Sequence, residues 1–358
     1  MPSQTKRVEV SSPAPRPLLV APVPQPLDDG WRQWVAENRL RGCTPESMFA
    51  TMTGSGLDAQ LSLNALNELE RNPVYLAALR HQQLLRKLES VAGNLQMLWQ
   101  SDPNYCVVEK REHLSRDEFE QRYVRGCRPV VITGLARDWP ALKRWSPQDL
   151  KQRFGHLEVQ VQAERQADPQ YEQNKLLHGR QVRLGDFVDQ VLAKGPSNDH
   201  YLTANNELLR RPEFAPLLQD IGALPDYCDV TQLPNSCSFW FGPAGTVTPL
   251  HHDTLMLFHT QIVGRKRWRF ISPLETPRLY NYFDVYSPVD IDHPDLHRYP
   301  DFARVKVLDV VVEPGETVFL PLGWWHQVTA LDLSMSFSFS NPAVPNQFSY
   351  RNPDIRNW

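Results

Sequence analysis

The sequence predicts an α+β protein: a helical N-terminal region, then a β-sandwich or barrel with flanking helices. Three observations predict it. Beyond residue 235 the chain becomes a series of short β-type runs separated by Gly and Pro. Residues 29–100 instead carry helix-start signals and a 4-3-4-3 apolar spacing. Proline is in excess, 31 against 17 glycines, the reverse of ordinary usage. Collagen and flexible glycine linkers are thereby excluded.

The 358 residues bound the answer to one large domain or two smaller ones. The formal net charge of -3 gives no general pull toward nucleic acid or an anionic membrane. No apolar run reaches the roughly 20 residues of a membrane helix. Neither membrane nor nucleic acid is therefore expected as a partner. The five cysteines are scattered without a CxxC pair, which argues against a disulfide framework and a zinc knuckle. The expected compartment is the cytoplasm.

Residues 1–28 form a Pro-rich segment without periodicity, expected as a disordered tail. In the helical region over 29–100, Thr44-Pro45-Glu46 reads as a helix start: N-cap, proline in the first turn, then an acid. Asn72-Pro73 opens a longer helix. Within it Leu84, Leu88, Val91, Leu95 and Leu98 form a short heptad stripe. The first expectation is a stripe packed on the chain's own core. The alternative is a homodimer seam through residues 73–100, and substrate recruitment is a third role for the region.

From about residue 105 the texture changes. Phe119–Tyr123 and Phe187–Leu192 are expected as helices and Val130–Ile132 as a strand approached through Pro129. Further strands are expected over 236–242, 257–263, 266–271, 305–312, 316–320, 326–331 and 334–340. In the last, Ser334, Ser336, Ser338 and Ser340 share one side and Met335, Phe337 and Phe339 the other. Periodicity alone lets the serines face either a polar interior or solvent.

The chemistry concentrates at Thr248-Pro249-Leu250-His251-His252-Asp253. In an extended segment His251 and Asp253 project to one side and His252 to the other. One imidazole and one carboxylate make two-thirds of a 2-His-1-carboxylate triad, which leaves adjacent positions open on Fe(II). His-x-Asp alone is a weak signal. A second copy, His293-Pro294-Asp295, sits in a polar, proline-broken stretch expected to be a surface loop. The third ligand candidate is His326, behind a Gly323-Trp324-Trp325 bend. Taken alone it reads rather as a satisfied core histidine; paired with His251 and Asp253, the ligand reading becomes the better one.

Lys266 shares a strand face with Trp268 and Phe270, opposite Arg265, Arg267 and Arg269. It should point inward, where an ammonium is costly unless paired. No acid occurs from 254 to 274. A small carboxylate ligand would satisfy it; a distant acid or snorkelling would also do so. The arginine face reads as a solvated strand surface rather than a phosphate stripe. Cys237 reads as a buried structural thiol. Nucleotide-loop, serine-hydrolase and zincin motifs are absent from the sequence.

These segments, FGPAGTVTPLHHDTLMLFHTQIVGRKRWRFISP and EPGETVFLPLGWWHQV, with RPVVITGLARDWPALKRWS and DHYLTANNELL upstream, resemble the JmjC, or cupin-8, branch of Fe(II)/2-oxoglutarate oxygenases. They are closest in style to the protein and tRNA hydroxylases. The likeness spans about residues 107–342 and implies a double-stranded β-helix (cupin/jelly-roll) core within a catalytic domain over 105–358. It implies His251, Asp253 and His326 as iron ligands, with no catalytic side chain beyond the metal centre. It implies Lys266, Thr248 and Tyr201 at the distal carboxylate of 2-oxoglutarate, and Ser338 near the cosubstrate. Fe(II), 2-oxoglutarate and O₂ are the implied cofactors and a protein or peptide the implied substrate. Trp240 and Trp325 are candidates for shaping the substrate mouth, although core packing is the first expectation for either one. Thr203 and Leu257 stand where relatives often carry glutamine and asparagine, which puts substrate-side polar contacts in doubt. The rival functions are a non-catalytic metabolite-binding module, or a demethylase or small-molecule hydroxylase on the same fold.

Overall fold

The structure is a computed structural model that describes residues 27–204 and 207–355. The expected tail therefore lies, up to residue 26, outside the described residues. The chain divides into two compact units, one ending at Asn94 and one over Leu95–Trp358. The sequence boundary near 101–104 falls just after α4 rather than within it.

The first unit is helical. Helix α1 (Asp29–Arg41) starts at Asp28, whose carboxylate accepts from Trp31 N, and ends at Gly42 in the left-handed region. Helix α2 (Pro45–Gly54) is capped by Thr44, which accepts from Ser47 N at 3.2 Å. Helix α3 (Ala59–Leu69) is capped by Asp58. These satisfied first-turn donors are what the Thr-Pro-Glu and Asp signals encode. Trp31, Trp34, Met48, Met52 and Leu66 fill the small core between them. Helix α4 (Pro73–Gln100) follows, and Asn72 accepts from Val74 N. Its stripe differs from the first expectation. Leu84 and Leu98 are 67% and 66% exposed, and Leu88, Val91 and Leu95 are exposed too. The core of this unit is already closed by α1–α3 residues, so the stripe is not used there.

The second unit contains twelve strands among its described residues. They are β1 (Glu109–Arg111), β2 (Val130–Ile132), β3 (Glu158–Gln162), β4 (Gly179–Arg183), β5 (Cys237–Gly242) and β6 (Val247–His252), then β7 (Leu257–Val263), β8 (Lys266–Ile271), β9 (Leu308–Val312), β10 (Thr317–Leu320), β11 (Trp325–Ala330) and β12 (Ser334–Phe339). One sheet runs β1-β2-β10-β7-β12-β5, a second runs β6-β11-β8-β9, and β3-β4 form a separate ribbon. All pairs are antiparallel except β1 with β2. This is the jelly-roll core of an α+β fold.

The period-2 alternation decides what faces where. On β12, Met335, Phe337 and Phe339 join Phe239, Phe241 and Phe258 in a large cluster with Trp139, Trp145 and Phe187 from the flanking segments. Phe187 belongs to the expected helix, observed over Leu184–Lys194. Phe119 and Tyr123 lie on a wide-turned helical segment, Phe119–Arg125, and are fully buried in the same cluster. The β12 serines turn the other way and are also buried: Ser336 donates to Gln261 Oε1, and Gln261 Nε2 donates to Ser334. Of the two orientations open to periodicity, the serines take the interior.

Gly264 carries the chain from β7 in one sheet to β8 in the other. Its φ is +69°, and a Cβ there would lie 2.1 Å from the Leu333 carbonyl oxygen. Only glycine fits. This turn sets the parity of β8 and points Lys266 inward.

Candidate metal and cosubstrate site

Strand β6 supplies Thr248 and His251, and Asp253 follows directly after it. Strand β11 pairs with β6 so that His326 stands opposite His251. The two imidazoles are 4.1 Å apart between centroids. Ligand atoms of His251, Asp253 and His326 all lie within 4.8 Å of one another. Asp253 offers Oδ1 at 3.9 Å from His251 Nε2 and Oδ2 at 3.8 Å from His326 Nε2.

Backbone carbonyls fix both rings. His251 Nδ1 lies 2.8 Å from Pro249 O, and His326 Nδ1 lies 3.1 Å from Trp324 O. With each Nδ1–H donating, each Nε2 lone pair is left for a cation. Burial, with His251 beside it, holds the His326 imidazole well below its ordinary pKa, so it is neutral as a ligand must be. Burial pushes the Asp253 carboxyl up, against the pull of His251 and His252. Two imidazoles and one carboxylate on one side are the donor set of a facial triad and fit Fe(II).

His252 points elsewhere, as alternation requires. Its ring packs 4.7 Å from Trp325 and 5.0 Å from Tyr350. Trp325 is fully buried in a cluster with Leu250, Ile271 and Leu279, and its Nε1 donates to Thr276 Oγ1. The expected role of Trp325 at the substrate mouth is therefore corrected: it neighbours His326 in sequence and so must face the opposite way. Trp240 does line the cavity, and its Nε1 donates to Ser338 Oγ at 2.8 Å.

The cavity holding the triad measures about 740 Å³. Lys266 lies at its inner end, 2% exposed. Its Nζ donates to Tyr201 Oη at 3.2 Å and lies 3.4 Å from His259 Nε2. No carboxylate among the described residues comes within ion-pair distance of it. Burial alone lowers its pKa to about 7. The same burial keeps the Tyr201 hydroxyl protonated. Thr248 and Ser338 line the same cavity. An ammonium with neutral partners and a phenol with its proton form a receptor for a carboxylate.

Two cavity residues escaped sequence reasoning. Tyr286, from the loop after β8, bridges to His251, and its ring lies tilted at 6.1 Å from the imidazole. His259 lies on β7; its signal was a histidine on a buried strand, one turn before an inward lysine. Cys237 is only partly buried and lines the cavity, but burial raises its pKa to about 11, so it is no thiolate nucleophile. The arginine face of β8 is ion-paired throughout: Arg265 with Asp332, Arg267 with Asp309, Arg269 with Asp292. Arg265 and Arg267 are solvated as expected, whereas Arg269 is buried.

Residues 116–343 match the cupin-like domain family. Lysine-specific demethylase 8 of Xenopus tropicalis is 34% identical over 63% of this chain and 50% of its own length. Lysine-specific demethylase JMJ30 of Arabidopsis thaliana is 34% identical over 65% of this chain and 54% of its own. The tRNA wybutosine-synthesizing protein 5 of Gallus gallus is 28% identical over 64% and 73%. The chain spans about half the length of the demethylase relatives it matches. With the jelly-roll core, the His-Asp-His cluster and the inward lysine in one cavity, this chain belongs to the JmjC cupin-like family, whose cofactors are Fe(II), 2-oxoglutarate and O₂.

Proposed function

We propose that the chain is an Fe(II)- and 2-oxoglutarate-dependent oxygenase that hydroxylates a side chain of a protein or peptide. The observation that carries this reading is the pairing, in one cavity, of the His251-Asp253-His326 cluster with the Lys266-Tyr201 receptor. When bound, iron and 2-oxoglutarate supply the oxidation of a C–H bond by O₂, with succinate and CO₂ as coproducts. The chain's residues do the rest. His251 and His326 present Nε2, each ring locked from behind by a carbonyl. Lys266 and Tyr201 hold the far carboxylate of the cosubstrate, which fixes its orientation toward the triad. Trp240 lines the cavity beside that receptor and Tyr286 lines it beside His251.

The cavity volume exceeds what a five-carbon dicarboxylate fills, which leaves room for a substrate side chain beside the cosubstrate. The relatives' names include lysine demethylases, and demethylation begins with the same C–H oxidation, so it is the second reading. The test is mass spectrometry of peptide libraries incubated with the iron-loaded chain. A gain of one oxygen supports hydroxylation; loss of a methyl group instead supports demethylation.

We also propose that α4 pairs with a second copy of the chain, because its exposed leucines repeat at the 4-3 spacing of paired helices. The proposed compartment remains the cytoplasm, supported by five cysteines that are all free thiols. Among the described residues, no helix is long and apolar enough to cross a membrane.

A further inference from the structure

His259 is 4% exposed and faces the cavity from β7, opposite Val318 on β10 and Ser338 on β12. Two indoles hold its ring, Trp268 edge-on at 5.0 Å and Trp240 at 5.8 Å. Trp268 in turn stacks on His326 at 5.6 Å. The imidazole is thus packed against two indoles, and its Nε2 meets Lys266 Nζ. Burial, reinforced by the neighbouring ammonium, keeps it neutral. A neutral imidazole can accept at Nε2 while carrying its proton on Nδ1.

An ammonium has three N–H donors and no acceptor. One goes to Tyr201 Oη and one is aimed at His259 Nε2. One remains. Tyr201, by accepting from Lys266, keeps its own O–H to donate. The receptor therefore offers two converging hydrogens, one N–H and one O–H, which matches the two oxygens of a single carboxylate.

We infer that His259 is a positioning residue for the cosubstrate: by accepting one N–H of Lys266 it directs the last N–H at the distal carboxylate, and so selects 2-oxo acids that carry a second carboxylate. The inference rests on the 2-oxoglutarate reading of the cavity. It differs from the Lys266 and Tyr201 roles because His259 would not touch the ligand.

The test is calorimetric binding to the full chain loaded with Mn(II), which binds without turnover. The probes are 2-oxoglutarate and 2-oxobutyrate, a 2-oxo acid without the distal carboxylate. His259→Leu is expected to weaken 2-oxoglutarate about tenfold, as loss of one charge-assisted hydrogen bond does, and to leave 2-oxobutyrate unchanged. His259→Gln, whose amide oxygen can accept the same N–H, is expected to restore most of that loss. Equal weakening of both acids, or an unchanged affinity in His259→Leu, overturns the inference. Failure of His259→Gln to recover any selectivity overturns it as well. A wild type that binds neither acid removes the cosubstrate reading itself, and the role of His259 with it.

Discussion

The chain carries His-x-Asp twice, at 251–253 and at 293–295, and the two triplets have opposite fates. The first ends strand β6, and its two outer side chains face the inside of the jelly roll within reach of His326. The second lies in a loop: the His293 side chain is 87% exposed, and the Asp295 carboxylate accepts from the backbone N–H groups of His297 and Arg298. That carboxylate is used locally to hold a turn. The difference lies in the backbone, not in the residues. A strand sends i and i+2 to the same face, and the sheet register then delivers a third donor from a distant part of the chain. A loop does neither.

The comparison breaks first at Asp253. Asp253→Ala should cut bound iron by at least about a hundredfold in affinity, more than loss of an outer partner costs, as read by metal analysis after dialysis. Asp295→Ala should leave it unchanged. Lys266→Met should weaken 2-oxoglutarate by about tenfold to a hundredfold in a binding titration, because a charged hydrogen bond is lost from a buried site. Iron content should be preserved, which separates the two ends of the cavity.

A pH titration sharpens the same point. The Lys266 pKa lies at about 7, below its ordinary 10.5. The burial cost therefore weighs on stability most below about pH 7 and is relieved as the pH rises toward 10.5. Binding a carboxylate favours the ammonium. Above pH 7, 2-oxoglutarate binding should take up a proton and weaken, by up to about tenfold per pH unit. In Lys266→Met this slope should vanish.

The exposed stripe of α4 gives a smaller effect on chemistry. Leu84→Glu with Leu88→Glu should convert a dimer to a monomer in sizing with light scattering, with turnover retained. A wild type that is already monomeric refutes the second-copy reading. Smallest of all, His293→Ala should change stability by no more than about 0.5 kcal/mol, the usual range for an exposed substitution.

Much of this was legible in the sequence because parity carries it. The inward Lys266, the split between His251 and His252, and the strands from 237 onward other than β6 follow from alternation and Pro/Gly punctuation. Other features were not legible for physical reasons. Strands β3 (EVQVQ) and β4 (GRQVR) form a two-stranded ribbon with one polar face, so their apolar content is too low to mark them. The α4 stripe has helical spacing, but spacing cannot say what covers it. His259 carries no motif of its own; only the crossover at Gly264 brings it against Lys266. Trp325 takes the core-packing role and not the one at the mouth: once His326 is placed inward, its neighbour on the strand must face away.

The most direct measurement is succinate formation from 2-oxoglutarate by the chain supplied with Fe(II) and O₂, compared with Asp253→Ala. Succinate from the wild type and none above background from the variant is the result expected of a working triad. Equal succinate from both, or a wild type that neither binds nor consumes 2-oxoglutarate, would contradict it.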